Sequence, residues 1–193
     1  MAGANESFNL ETMSEFQHMF LIAVPQMGDP NFFHSVVFLM HHDAKGALGL
    51  VVNNPLDLSL GEFSSSQKIP CHEALLGLPV FAGGPVEPDS GWLLHSDPSI
   101  AERQEILPGL YVSRSTQSLG TLLFNGEKKF RLMLGYAGWE AGQLSQEMKE
   151  GAWITTEVNP KYILETEPAE TWGVILSDMG VDPLRLALGT GFH

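Results

Sequence analysis

The longest apolar runs in this chain, such as residues 36–40 and 48–52, end after a handful of positions at polar or turn-forming residues. None approaches the roughly 20 residues that a helix needs to cross a bilayer. Runs this short, punctuated by Gly, Pro, Asn and Asp, are the pattern of strands joined by tight turns. The expected strands are residues 20–24, 35–40, 47–53, 80–82, 92–95, 110–112, 130–135 and 153–155, which together make a sheet or a small barrel. Helices are expected at 59–65, 116–124, 141–150, 169–179 and 183–188. The fourth has the clearest signals. Pro168 can begin it without losing a needed N–H, Gly180 can end it in a left-handed conformation, and Trp172, Ile175, Leu176 and Met179 recur on one face. That face should lie against the sheet.

With 193 residues, 44% of them apolar, the chain suits one domain over 1–193 with a sizeable core, residues 1–17 being an N-terminal extension or a first helix. The first fifteen residues carry Glu6, Glu11 and Glu15 and no basic residue, unlike a secretory signal, so a cytoplasmic location is expected. Cys71 is the single cysteine, which excludes an internal disulfide or a cysteine-rich zinc site, and it reads as a small, half-buried residue. Ten basic against 23 acidic residues give a net charge of −13, which repels polyanions and disfavours direct nucleic-acid binding. The only local basic cluster, Lys128, Lys129 and Arg131, is too short to track a phosphate backbone and reads as the start of a strand.

The stretch M-H-H-D-A-K-G-A-L-G-L-V-V-N-N-P, residues 40–55, contains a β-hairpin whose turn is His42 to Gly46. Neighbouring residues of a strand point to opposite faces, so His41 and His42 are poorly disposed to share a metal, and no metal is expected. Two further glycine-rich stretches, residues 81–95 and 134–144, match neither the dinucleotide fingerprint nor the phosphate loop. The second passes from a strand through a tight turn into a helix beginning near Gly142, where exposed N–H groups could hold an anion or could simply form a corner packed under Trp139.

Five segments in order, D-P-N-F-F-H-S-V-V-F-L at 29–39, H-x-x-x-G-A-L-G-L-V-V-N at 42–53, G-G-P-V at 83–86, G-W-L-L-H at 91–95 and G-Y-A-G-W-x-x-G-Q-L at 135–144, resemble the AlgH/YqgE family of bacterial proteins. The resemblance spans about residues 20–188. It implies an α+β fold in which a strongly bent, partly barrel-like mixed β-sheet is surrounded by helices. It implies little about activity, since family members are tied by name to control of alginate synthesis or labelled transcriptional regulators, and no catalytic residue or cofactor carries over. The matching positions are His42, Gly49 and Asn53, then Gly83, Gly84, Pro85 and His95, then Trp139, Gly142 and Gln143. His34 and Asn54 stand where the family often has a basic residue, and Ser145 where Glu commonly follows Gly-Gln-Leu.

Three functions follow as expectations. The preferred one is a non-enzymatic, cytoplasmic regulatory or binding module for a small molecule or a partner protein. Its candidate surface comprises His42, Asn53, Gly83, Gly84, Pro85, His95, Trp139, Gly142 and Gln143, expected to converge above an apolar floor. Transcriptional control, direct or through a partner, is opposed by the charge and by the lack of a DNA-reading motif. An enzyme would need His42, His95, Glu87 and Asp89 to converge on Asn53 and Gln143 as acid/base groups. The nucleophile-elbow pattern is absent, since Ser90 lacks its first glycine.

Overall fold

A computed structural model describes residues 18–126 and 129–187, so residues 1–17 and Leu188, at the end of the last expected helix, lie outside the described residues. The strands are β1 (Met19–Ala23), β2 (Val36–Asp43), β3 (Gly46–Val51), β4 (Pro55–Ser59), β5 (Pro79–Ala82), β6 (Val86–His95), β7 (Gln104–Leu107), β8 (Leu110–Ser113), β9 (Phe130–Glu140) and β10 (Trp153–Glu157). The helices are α1 (Leu60–Gln67), α2 (Thr116–Asn125), α3 (Gln143–Lys149), α4 (Pro160–Leu164), α5 (Pro168–Asp178) and α6 (Pro183–Ala187). The sheet runs β10-β1-β2-β3-β9-β6-β8-β7 and curls into a half-barrel. The parallel pair β5 on β9 makes it mixed, and β4 pairs with β5 off the main path.

Strands β1 and β2 read as continuous apolar runs because both of their faces are covered. Phe20, Ile22, Phe38 and Met40 pack inside the curl with Leu94, Met133 and the α5 residues Ile175 and Leu176. Leu21, Ala23, Val37 and Leu39 pack on the opposite face with Trp139, Trp153 and Leu144 of α3. A third cluster joins α1 and α2 to the far half of the sheet through Leu60, Leu119, Leu123, Leu93, Phe130 and Leu132. Helix α5 begins at Pro168, is followed by Gly180 at φ +72°, and lays Trp172, Ile175, Leu176 and Met179 on the inner cluster, as its spacing predicts.

Long β9 connects the two halves. Its first half pairs with β5 and β6, and its second half pairs with β3. The expected strand of 130–135 therefore continues for a further five residues, through a glycine the sequence offers as a stop. Strands β4 and β7, and the short helix α4, lie outside the sequence expectations. β4 opens on a proline and β7 carries exposed Gln104 and Glu105, so neither has a strong apolar signature. Helix α3 begins two residues later than expected, at Gln143, because β9 runs on to Glu140. Arg131 does stand at the start of a strand, with its side chain turned inward.

Candidate functional site

The G-G-P-V motif lies where the chain leaving β5 crosses β9. Gly83 donates its N–H to the carbonyl of Leu134 at 2.7 Å and accepts from Val51 N–H at 2.8 Å. Gly84 sits at φ +152°, and a Cβ there would lie 2.1 Å from the carbonyl carbon of Tyr136. Gly135 is its counterpart on β9, at φ +73° with space for a Cβ only 2.4 Å from the carbonyl oxygen of Gly84. The glycines let two backbones touch, and Pro85, exposed, turns the chain away into β6. Gly49 makes a similar approach, with a Cβ position 2.6 Å from Val37 Cγ1.

The hairpin at 40–55 has Ala44 and Lys45 at its tip, since Asp43 pairs with Gly46. Asp43 Oδ1 accepts from the N–H groups of Lys45 and Gly46, which holds its carboxyl below the usual range, helped by His41 at 3.2 Å. His41 is opposite Leu48 and His42 opposite Ala47, on the two faces of the sheet. Ala47 in turn pairs with Trp139, so His42, Ala47 and Trp139 lie in one cross-strand row. Among the described residues, no group of three or more His, Cys, Asp or Glu is placed to hold a metal ion.

The third motif centres on a residue that the sequence reading passed over. Glu147 of α3 accepts from the indole N–H groups of Trp139 at 2.9 Å and Trp153 at 2.8 Å through Oε2, and from the Gln143 amide at 2.9 Å through Oε1. Gln143 Oε1 accepts from Glu140 N–H, closing the corner. Phe32 stacks on Trp139 and meets Trp153 edge-on. Gly142, at φ +78°, supplies the left-handed residue of that corner. The corner packs under Trp139, and the start of α3 carries no side-chain cap. Glu147 lies four residues from Gln143, one helical turn, and that spacing was its only sequence signal.

Asn53 acts as a clamp between segments. Its Oδ1 accepts from Val36 N–H at 2.8 Å and its amide donates to the His34 carbonyl at 3.0 Å, fixing the start of β2. His34, at φ +51°, is sandwiched between Phe33 and Trp172 with ring centroids 4.0 and 4.1 Å away. These residues line a shallow cleft with Asn31, Asn54 and Pro168.

His95 is fully buried and bonds through Nε2 to the hydroxyl of Ser113 at 2.9 Å, with the Tyr111 ring stacked 5.7 Å away. A histidine on a serine is the geometry of an activated nucleophile, yet Ser113 is only 3% exposed and neither residue lines the cleft at Asn53 or the cavity between α1, α2 and the sheet. Burial pushes the His95 pKa below its ordinary value, against the opposing pull of Asp97. The unfolded chain therefore binds a proton that the folded chain resists, and stability falls as pH drops through about 6.5. Urea midpoints between pH 7 and pH 5.5 should decline in the wild type and decline less in His95→Gln; equal declines in both would assign the effect to other groups.

Another opening lies elsewhere. A cavity of about 370 Å³ lies between α1, α2 and the sheet, floored by Phe63, Ile69, Leu93, Leu119, Leu132 and Leu134. Its rim carries Gln67, Asp89, Arg114, Ser115 and Thr116. Gly91 and Leu93, within the G-W-L-L-H segment, and Asp89 beside it connect the cavity to the motifs, and its lining is drawn from four separated stretches of chain.

The AlgH-like family profile matches residues 20–184. This chain belongs to the AlgH-like family. A UPF0301 protein of Myxococcus xanthus is 42% identical over 173 residues, 90% of this chain and 96% of that protein. Another from Thioalkalivibrio sulfidiphilus is 38% identical over 182 residues, 93% of this chain and 97% of that one. The solution structure of AlgH from Pseudomonas aeruginosa superimposes with a TM-score of 0.72 at 34% identity, covering 95% of this chain and 99% of that one. A Corynebacterium diphtheriae protein shares the fold at 19% identity and a TM-score of 0.69, over 91% and 92% of the two chains.

Within this AlgH-like fold the motif residues divide between neighbourhoods. Trp139, Gly142 and Gln143 meet at Glu147, with His42 in the same strand row as Trp139. Gly83, Gly84 and Pro85 form the crossing, Asn53 clamps β2, and His95 is sealed beside Ser113. Of the proposed acid/base groups, Glu87 adds to the burial that pushes the Tyr136 hydroxyl pKa up, and Asp89 lines the cavity between α1, α2 and the sheet.

Proposed function

We propose that this AlgH-like chain is a single-domain, non-enzymatic binding module of the cytoplasm, with a regulatory role exerted through a small molecule held between α1, α2 and the sheet. The observation that carries this reading is the cavity of about 370 Å³, which has six large apolar side chains beneath a polar rim. That combination, at that size, is the usual make-up of a small-molecule site of about 300–1,000 Å³. Two observations weigh against the other readings. The net charge of −13 opposes direct contact with DNA, and both members of the His95–Ser113 pair are buried. Among the described residues no helix is long and apolar enough to cross a membrane.

Gly91 provides the test. It lines the cavity, and a Cβ added there meets nothing nearer than Leu132 Cδ1 at 3.9 Å, so a larger residue can fill the space without disturbing the backbone. The neutral fluorescent probe N-phenyl-naphthylamine should brighten with the wild type and lose most of that signal with Gly91→Leu, while the unfolding midpoint stays close to the wild-type value. Equal brightening with a well-folded Gly91→Leu protein would place the probe elsewhere and remove the support for this site.

A further inference from the structure

We infer that the ligand of this cavity is an apolar monocarboxylate, its tail on the leucine floor and its carboxylate on Arg114. This inference rests on the binding reading above and adds the chemistry of the head group. Arg114 lines the cavity and is held in place from two sides. Its guanidinium lies 4.0 Å from the centroid of the Trp92 ring and donates to Ser90 Oγ at 2.8 Å. Among the described residues no carboxylate lies within ion-pair distance of it, in a chain with 23 acidic residues. An arginine whose orientation is already fixed, and which makes no ion pair among the described residues, offers a fork for a carboxylate at little entropic cost.

The rest of the rim narrows the class. Asp89 lines the same cavity, and the overall charge is −13, so each negative charge on a ligand beyond the first meets repulsion without a second cation among the lining residues. A dianionic phosphate is disfavoured on that ground. The floor contributes four leucines, a phenylalanine and an isoleucine, which suit an alkyl tail. A single anionic head on an apolar tail matches both halves of the cavity.

Three probes of one chain length separate the possibilities: octanoate, octanol and octylamine, each titrated into the full chain while the methyl resonances of Leu93, Leu119 and Leu132 are followed. Octanoate should bind about tenfold more tightly than octanol, the scale of a charge-assisted hydrogen bond at a partly exposed site. Arg114→Gln should abolish that difference while leaving octanol unchanged, and Asp89→Asn should tighten octanoate. Added salt should weaken octanoate alone. Equal affinity for octanoate and octanol, an octanoate affinity insensitive to Arg114→Gln, or preference for octylamine would overturn the assignment while leaving the cavity as a binding site. If none of the three moves these methyl resonances, the binding reading fails with it.

Discussion

Gly84→Ala is expected to yield no stably folded protein, although it adds a single methyl group. The added Cβ would lie 2.1 Å from the carbonyl carbon of Tyr136 and 2.3 Å from the nitrogen of Ala137, and these are backbone atoms of the central strand that cannot rotate aside. Relief would require separating the two chains where Gly83 bonds to Leu134 and to Val51, which opens the sheet at its crossing. A loss of more than about 4 kcal/mol follows from such overlap, most of the stability of an ordinary domain. Gly142→Ala is the informative comparison. Gly142 also has a positive φ, +78°, but nothing lies within 4 Å of its Cβ position, so only the left-handed strain of about 1–2 kcal/mol applies. Soluble yield and urea midpoints should therefore separate the two motif glycines sharply. A Gly84→Ala protein as stable as Gly142→Ala would show that the crossing is looser than described.

Arg131→Met should lower stability by about 3 kcal/mol. Arg131 is 7% exposed, lies with its guanidinium 4.7 Å from the Phe81 ring centroid, and donates to the carbonyls of Val52 and Thr166. It thus ties the end of β3 and the turn between α4 and α5 to the central strand. Burial pushes its pKa down to about 10, with Glu167 acting in the opposite direction, so it remains charged at neutral pH. Methionine keeps much of the volume but strands two carbonyls, at about 1–3 kcal/mol each, and this loss is partly offset because a charge need no longer be buried. Urea unfolding measures the net effect. Amide exchange should also accelerate in residues 160–178, where the lost bond anchors the helices. Unchanged or higher stability would mean that the cost of burying the charge outweighs its two bonds.

The sequence by itself determined whatever depends on neighbours along the chain. Period and punctuation placed the apolar strands and α5, the Asp43 to Gly46 turn was written in its residue types, and the alternation of a strand kept His41 and His42 apart. Ordered motifs were sufficient for the α+β half-barrel of the family. The tertiary structure decided the rest, because the deciding partners are far away. Strands β4 and β7 have weak apolar patterns and become strands by pairing with β5 and β8. Asn53 and the G-G-P-V glycines look like site residues in one dimension, but Asn53 bonds across 17 residues and Gly84 touches a strand some fifty positions on. Glu147, an ordinary helix carboxylate by pattern, joins two tryptophans only because β9 and β10 converge there. Arg131 read only as the start of a strand, and its burial against Phe81, Val52 and Thr166 came from the tertiary structure. The cavity had no motif at all. A cavity is bounded by residues whose separation in sequence is unrelated to their separation in space, and only the packing of α1 and α2 against the sheet brings Phe63, Arg114 and Leu132 around one volume.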